Sequence, residues 1–305
     1  MTSIYEIPQK IKCLSDKRER KSIPLFNIVM PVLLFLMLQY ESFHTVFSAP
    51  ESMGRRLKNC IRGKVPKVDA VRDLLSRIDP EEVRKIHEET IDTLKKNRVF
   101  REGTIGGYVV AGMDGVELFS STKKSCPGCL TRKNRAGETE YFHRSVVCMT
   151  VGKAPHVILG QEMLKPRDGA GKDEGELTGG KQVVRYHESW EENGKETERW
   201  IWLVTTLEQT PPEILWEMMN RRWDIEENGF HQLKTYYHAK HCYCHAAVEV
   251  IFNLMIIGFN MRELYLYRRI QRFERSGITR KSVSRIFRDE LLTEKVKKIL
   301  YQKGG

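Results

Sequence analysis

The chain has 305 residues, of which 40% are hydrophobic and 30% are charged, and its net charge is +11. This length is enough for one large domain or two small ones, and the composition fits a soluble globular protein. The positive excess favours a polyanionic partner, nucleic acid first and an anionic membrane surface second, although a basic protein without such a partner has the same charge. The seven cysteines, an odd number at irregular spacing, argue against a secreted disulfide framework, so we expect reduced thiols in a cytoplasm.

The N-terminal region, residues 1–104, is predicted to be helical and basic, and it is a candidate DNA-binding region. Residues 1–22 are polar and basic, which predicts a frayed arm, and residues 50–68 form a basic connector. The apolar run over residues 25–38 is shorter than the roughly 20 residues that a membrane span needs. We therefore expect a buried helix there and no membrane partner, with a signal anchor as the alternative because basic residues precede the run.

One helix start is well marked by its sequence. Asp79 is a good N-cap residue, Pro80 suits the first helical position, and the two acidic residues that follow oppose the positive end of the helix dipole. Residues at helical spacing then predict the buried side of this helix, which comprises Val83, Ile86, Thr90, Ile91 and Leu94.

The pattern changes to strands after Gly106. The apolar run Tyr108–Met113 predicts a buried strand, and Asp114 follows at its carboxyl end. Further strand-like runs cover residues 141–151, 155–164, 182–190 and 198–207. The last two are expected to pair as a hairpin, because Asn193 and Gly194 between them form a strong turn dipeptide.

Helices are predicted to return near Thr210. The residues from Thr210 to Glu213 are typical of a capping box with prolines in the first turn, and the helix that they open carries the segment 221–234. Residues 246–267 are apolar almost all round, which predicts a core helix. The basic tail over residues 268–305 predicts one or two surface helices.

Two acidic residues are the first candidates for chemistry. Asp114 at the end of a buried strand is well placed to hold a cation, with an ordinary Asp-Gly turn as the alternative. Glu226 follows Arg222 by four residues, so the two share a helix face, with a surface ion pair as the alternative.

The position of Lys234 depends on the local helix geometry. It follows Glu226 by eight residues, which in a regular helix rotates it by about 80° from that acid. Either Glu227 is the acid that aligns with Lys234, or a local bulge at Gly229 restores the alignment with Glu226.

The motif Arg-Trp-Asp-Ile-Glu over residues 222–226, followed by Phe-His-Gln-Leu-Lys over residues 230–234, resembles the signature of DDE transposases of bacterial insertion sequences. In that family a Tyr-Arg-Glu-Lys pattern surrounds the last catalytic acid. The context Val-Val-Ala-Gly-Met-Asp-Gly around Asp114 resembles that of the first acid, and the likeness covers residues 65–267. The resemblance implies a bacterial, cytoplasmic enzyme that cleaves DNA at the ends of an insertion sequence and transfers the strands.

The family implies an α/β, RNase H-like core over residues 105–267, a mixed sheet with helices in which two Asp and one Glu meet at one edge. Asp114 and Glu226 would hold Mg²⁺ or Mn²⁺, which would activate a water or a 3′-hydroxyl for in-line attack on a phosphodiester. DNA contacts would come from side chains near the last acid: Arg221, Arg222, Trp223 and Lys234. The implied partners are DNA, at element ends and target, and a second copy of the chain in a synaptic complex.

Three departures from the family pattern bear on activity. Met219 stands where the signature has Tyr, and Lys234 comes one residue late. The second catalytic Asp should end a strand that follows a helix, and residues 165–181 leave no room for both. Asp168 and Asp173 lie in that glycine-rich stretch, and Asp173 is the candidate third acid. The resemblance, together with these departures, therefore implies an internally shortened transposase, with a DNA-binding remnant that does not cleave DNA as the alternative.

A cysteine pair supplies a second kind of candidate site. Cys126 and Cys129, separated by two residues, have the spacing of half a zinc site. The missing half would come from His143 or from a cluster that comprises His241, Cys242, Cys244 and His245. A loop with two free thiols is the alternative, since a single Cys-x-x-Cys is weak evidence for metal. The pair also predicts a third class of function, a zinc-stabilised interaction module.

Overall fold

The computed structural model describes residues 5–19, 21–44, 66–166, 182–269, 273 and 276–291. Most of the predicted basic connector lies outside these ranges, as do Asp168 and Asp173. The described chain is an α/β structure whose helices pack on an antiparallel sheet.

Helices α1 (Ile7–Lys12) and α2 (Phe26–Met37) form the N-terminal part of the described chain. Ile7 and Ile11 are buried and α1 packs on α2, so the expected frayed arm is wrong over its described part. These two side chains are four residues apart and share one helix face. A prediction from the basic composition of the segment overlooks this apolar pair. Helix α2 is the expected buried helix. Among the described residues, no helix combines the length and the apolar character that a membrane crossing requires.

Helices α3 (Val68–Leu75) and α4 (Pro80–Lys96) follow the connector. The Asp79 carboxylate accepts a hydrogen bond from the Glu81 N–H at 3.0 Å, which confirms the predicted N-cap. Every residue of the predicted buried side of α4 is buried. The helix therefore begins and faces the core as its sequence indicates.

Four strands form the larger sheet: β1 (Ala111–Ser121), β2 (Leu130–Lys133), β3 (Thr139–Thr150) and β4 (Ile158–Met163). Strand β3 is central, because it pairs with β1 along one edge and with β2 and β4 along the other. Every strand pairing within the described ranges is antiparallel. The α/β class is thus observed, and the RNase H-like fold with its mixed sheet stays a prediction.

Asp114 lies inside β1 and not at the carboxyl end of a strand. It is the fourth residue of β1 and pairs with Val147 of β3, so the predicted position of the strand over Tyr108–Met113 is wrong. The buried residues Val116 and Leu118 alternate along the strand after Asp114. The core-facing part of β1 therefore follows the acid, whereas the preceding residue Met113 is 66% exposed.

The hairpin is confirmed. Strands β5 (Gln182–Glu192) and β6 (Lys195–Thr205) pair in register around Asn193 and Gly194. These turn residues have φ values of 53° and 74°, the positive values that a tight two-residue hairpin turn requires.

Residues 212–235, called the signature segment because they contain the motif over residues 222–234, fold as an irregular helix. The segment consists of α5 (Pro212–Arg221), a π-helix (Ile225–Phe230) and α6 (His231–Thr235). The expected capping box at Thr210 is wrong, because Pro211 occupies the N-cap position and no side chain caps the helix. Pro212 takes the first helical position, as expected, so the proline sets the start of α5 without the help of Thr210.

Helix α7 (Val248–Arg269) is the expected core helix and is followed by α8 (Arg280–Leu291). It packs against α2, α4 and β4. One buried apolar cluster includes side chains of the N-terminal helices, the sheet and α7. The predicted boundaries after residues 104 and 267 stay predictions.

A buried polar contact fixes β4 between two helices. Asn260 of α7 accepts a hydrogen bond from the Ile158 N–H and donates one to the Ile158 carbonyl, both at 2.8 Å. His87 of α4 lies 2.9 Å from the same carbonyl through Nε2. Because the ring is buried, the pKa of His87 is lowered to about 4.

We expect this histidine to make the protein acid-sensitive. The pKa of His87 is lower in the folded protein than the ordinary value of 6.5. The stabilising contribution of the neutral His87 ring is therefore complete above about pH 6.5 and is lost as the pH falls toward 4. At about pH 5 the loss should be about 2 kcal/mol. Urea unfolding of the wild type and of His87→Gln at about pH 7.5 and pH 5 measures it. An equal loss of stability in both proteins would contradict the assignment.

Candidate metal centre and acidic site

Four potential metal ligands lie together: Cys126, Cys129, His143 and His245. Their ligand atoms are all within 4.8 Å of one another. The two Sγ atoms are 3.5 Å apart, and His143 Nε2 lies 3.4 Å from the Cys126 sulfur and 3.3 Å from the Cys129 sulfur. His245 Nε2 is 3.2 Å from the Cys129 sulfur. The cluster has the size and the donor atoms to hold a metal ion.

Three separate segments bring these ligands together. Cys126 and Cys129 lie on a tight turn between β1 and β2, in which the Cys129 N–H donates to the Cys126 carbonyl at 3.0 Å. His143 is on β3, and His245 begins the short turn of helix that precedes α7. Phe119 of β1 packs against both imidazoles, with ring centroids 5.4 Å and 5.1 Å away. A bound metal would therefore join the sheet to the start of the core helix.

Burial keeps Cys129 and His143 uncharged in the protein alone. Burial raises the pKa of the Cys129 thiol to about 11. Burial, and then the neighbouring His245, lowers the pKa of His143 to about 4. A neutral imidazole can bind a metal directly. The thiol binds as a thiolate, so metal binding must release its proton to solvent.

The sequence indicated both halves of this cluster without choosing the right members. His143 and the cluster around His245 were expected as alternatives, and the structure brings one histidine from each to the cysteine pair. The other members of the second group have different contacts. His241 packs on the Tyr243 ring, and Cys244 Sγ lies 3.9 Å from the Arg72 carbonyl.

The acidic candidates lie on two elements that contact each other, β1 and the π-helix. Gly112 of β1 touches this segment, since a Cβ at Gly112 would lie 3.5 Å from Ile225 Cβ. Asp114 is two residues further along β1 and shares the face of the strand with Gly112. Glu226 is the residue next to Ile225 and is exposed, as is Glu227. The strand that carries Asp114 is therefore in contact with the π-helix that carries Glu226 and Glu227.

A close contact and a hydrogen bond hold the π-helix against the sheet. A Cβ at Gly229 would lie 2.9 Å from the Met149 sulfur of β3, so the absence of a side chain allows the segment to lie close to the strand. The Asp224 carboxylate accepts a hydrogen bond from the Gly152 N–H at 2.7 Å, just after β3. The role of Asp224 was not foreseen, although its place inside the signature motif could have suggested it.

The expected local bulge near Gly229 is present as the π-helix Ile225–Phe230. A π-turn contains one residue more than an α-turn. The eight residues from Glu226 to Lys234 therefore correspond to about seven in a regular helix, or about two turns. This geometry favours Glu226 over Glu227 as the acid that aligns with Lys234.

The expected DNA-binding side chains are on the surface. Arg221, Arg222, Trp223 and Lys234 are all exposed. The Arg222 guanidinium lies 4.5 Å from the Trp223 ring centroid, and Trp223 is 55% exposed. Ile225, two residues further along, is fully buried.

The third expected acid, Asp173, lies outside the described residues. Comparisons of the chain with protein-family models, curated proteins and solved structures gave no match. The geometry of the metal centre and of the acidic site therefore carries the functional proposal.

Removal of the Asp224 carboxylate should loosen the signature segment. Asp224→Ala leaves the Gly152 N–H without its charged acceptor, which should cost about 1–3 kcal/mol in the free energy of unfolding. Asp224→Asn keeps an acceptor and should cost less. Glu227→Ala, a change at an exposed neighbouring acid, is the control, and urea unfolding compares the variants. If Asp224→Ala is as stable as this control, the hydrogen bond does not anchor the segment.

Proposed function

We propose that the chain is a DNA-processing protein of the insertion-sequence transposase type, shortened within its core. The observation that carries the proposal is the contact of the π-helix with β1 at Gly112 and Ile225. This contact brings the strand of Asp114 to the segment of Glu226, the two acids on which the resemblance rests. An RNase H-like arrangement of these elements is part of the proposal.

Asp114 and Glu226 are the residues that would hold Mg²⁺ or Mn²⁺. Such an ion supplies a bound hydroxide or alkoxide nucleophile and neutralises charge on the phosphodiester. The protein's own contribution is positional: β1 fixes one carboxylate, and the π-helix fixes the other. Arg221, Arg222 and Lys234 are exposed cations that would hold DNA phosphates beside the acids, and two copies of the chain would bring two DNA ends together.

Trp223 has a distinct role in this proposal. Its exposed ring already carries the Arg222 guanidinium on one face, so the aromatic surface and the positive charge are presented together. Aromatic rings stack on unpaired bases without sequence preference, at about 1–3 kcal/mol per base. The pair would therefore hold an unpaired nucleotide near the cut.

Cleavage tests the acidic site directly. The assay measures Mg²⁺- or Mn²⁺-dependent nicking of DNA that carries the sequences flanking the gene. Asp114→Ala and Glu226→Ala should each reduce the nicking rate by more than about 100-fold. Loss of a residue that only supports a metal ligand reduces activity by up to about 100-fold, and loss of the ligand itself should cost more. Glu227→Ala, on the same π-helix, should reduce it far less.

Each pattern of results has a different meaning. Equal loss in Glu226→Ala and Glu227→Ala would contradict the assignment of Glu226. Cleavage that is unchanged in Asp114→Ala would contradict the whole acidic site. DNA binding that is weakened by Arg222→Ala and Lys234→Ala, without any cleavage by the wild type, would instead support the DNA-binding remnant.

A second function is favoured by the Cys126, Cys129, His143 and His245 cluster: it would bind zinc as a structural centre. Two thiolates and two imidazoles are a donor set that suits Zn²⁺. With Zn–S near 2.3 Å and Zn–N near 2.0 Å, neighbouring ligand atoms of a tetrahedral site lie about 3.3–3.8 Å apart. Four of the six separations, 3.2–3.5 Å, are slightly shorter than the distances of such a site, and all six are within 4.8 Å. Four protein ligands fill the coordination sphere, which is typical of a structural site.

Metal analysis tests this function. The purified full-length protein should contain about one zinc per chain, and Cys129→Ser and His245→Ala should each lose it. Cys242→Ser, a change at a thiol outside the cluster, should keep it. Chelation should lower the unfolding temperature of the wild type because the metal joins three segments. Zinc retained in Cys129→Ser would show that the metal is bound elsewhere.

A further inference from the structure

The two cysteines of the cluster differ in their access to solvent. A cleft of about 240 Å³ lies beside the cluster, between the turn that joins α3 to α4, the end of β4 and the start of α7. Cys126, His143 and His245 line this cleft, whereas Cys129 does not. Cys129 is only 6% exposed, and Cys126 is half-buried. A small solute in the cleft therefore meets the sulfur of Cys126 before that of Cys129.

The two sulfurs are close enough to bond to each other. Their separation of 3.5 Å must shorten by about 1.5 Å to reach the S–S distance of about 2.05 Å in a disulfide. Both lie on one tight turn, so side-chain rotation supplies most of this movement while the Cys129 N–H to Cys126 carbonyl hydrogen bond persists. The separation thus suits a metal-bound dithiol and, after its oxidation, a local disulfide.

We propose that Cys126 and Cys129 are an oxidant-sensitive pair, at which hydrogen peroxide forms a disulfide and releases the metal. This inference rests on the proposed binding of zinc by the cluster. The cleft is the route by which the oxidant enters, and Cys126 is the cysteine that it reaches first.

The reaction balances with peroxide as the only oxidant. The Cys126 sulfur attacks one peroxide oxygen and the O–O bond breaks, which gives a sulfenic acid and hydroxide. The Cys129 sulfur then attacks the Cys126 sulfur, the S–S bond forms and the S–O bond breaks, which releases a second hydroxide. Two protons from solvent convert both hydroxides to water. Two electrons have passed from the thiolates to the peroxide, and Zn²⁺ is released without a change of oxidation state.

Loss of both sulfur ligands leaves too few donors for the metal. His143 and His245 alone supply two of the four ligands that a structural zinc site needs. The imidazoles keep their contacts with Phe119, so the sheet retains packing at this point after the metal has left. Oxidation would therefore free the start of α7 from the cysteine turn without unfolding the core, and reduction with added zinc would restore the link.

The test uses zinc-loaded, full-length protein and hydrogen peroxide. Zinc release is followed with a colorimetric chelator, and cysteine oxidation is mapped by mass spectrometry of peptides. The exposed thiol of Cys13 is an internal reference for the dose. We expect zinc release at a dose that oxidises Cys13, with a disulfide between Cys126 and Cys129, and rebinding of zinc after treatment with a dithiol.

The matched control is Cys126→His combined with Cys242→Ser. It keeps four metal ligands but leaves a single thiolate in the cluster, so zinc release should be at least about 10-fold slower than in the wild type. Zinc that stays bound while Cys13 is fully oxidised would overturn the inference and leave the zinc proposal intact. A disulfide of Cys129 with Cys242 would overturn the assigned pair. Protein that contains no zinc before treatment would contradict the zinc proposal itself.

Discussion

The burial of α7 on all sides is the constraint on which the rest of the structure depends. A helix without a polar face must be covered all round, and α2, α4 and β4 supply that cover. The cover is close: at Gly258 a Cβ would lie 3.3 Å from the backbone nitrogen of Met37 in α2. Polar groups on such a helix need partners, and Asn260 finds them in the N–H and carbonyl of Ile158. These two hydrogen bonds fix β4, and through β4 the central strand β3, relative to the helices.

The position of β3 in turn determines where both candidate sites form. Near one end of the strand, Met149 lies under Gly229, and the Gly152 N–H just beyond β3 binds Asp224, so the π-helix is held against the sheet. Toward the other end, His143 faces the cysteine turn. His245, the first residue of the short turn of helix before α7, completes the cluster because β4 fixes the core helix relative to β3. Neither site is a feature of a single segment, and both result from the way that the sheet meets the helices.

The sequence predicts features whose cause is local and fails where the cause is tertiary. Asn193 and Gly194 specify the hairpin because their positive φ values select one turn, and Asp79 specifies a helix start through one hydrogen bond. The Asp-Gly pair at Asp114 was ambiguous, because the same dipeptide suits a turn or a strand end. Here a strand passes through it, because Asp114 and Gly115 pair with Val147 and Val146 of β3. Likewise, the cysteine spacing predicts half a metal site, but only the fold selects His143 and His245.

The two sites are separate and cannot share one ion. Asp114 and Phe119 are both on β1 and five residues apart, which is about 16 Å at the rise of about 3.3 Å per residue in a strand. Phe119 packs on the imidazoles of the metal cluster, so the cluster lies at a similar distance from Asp114. Four protein ligands also leave no open coordination position for a substrate, whereas metal-assisted phosphodiester cleavage requires one. In the proposed function the cysteine–histidine cluster would therefore have a structural role, and metal-dependent cleavage of DNA would take place at the carboxylates of the other site.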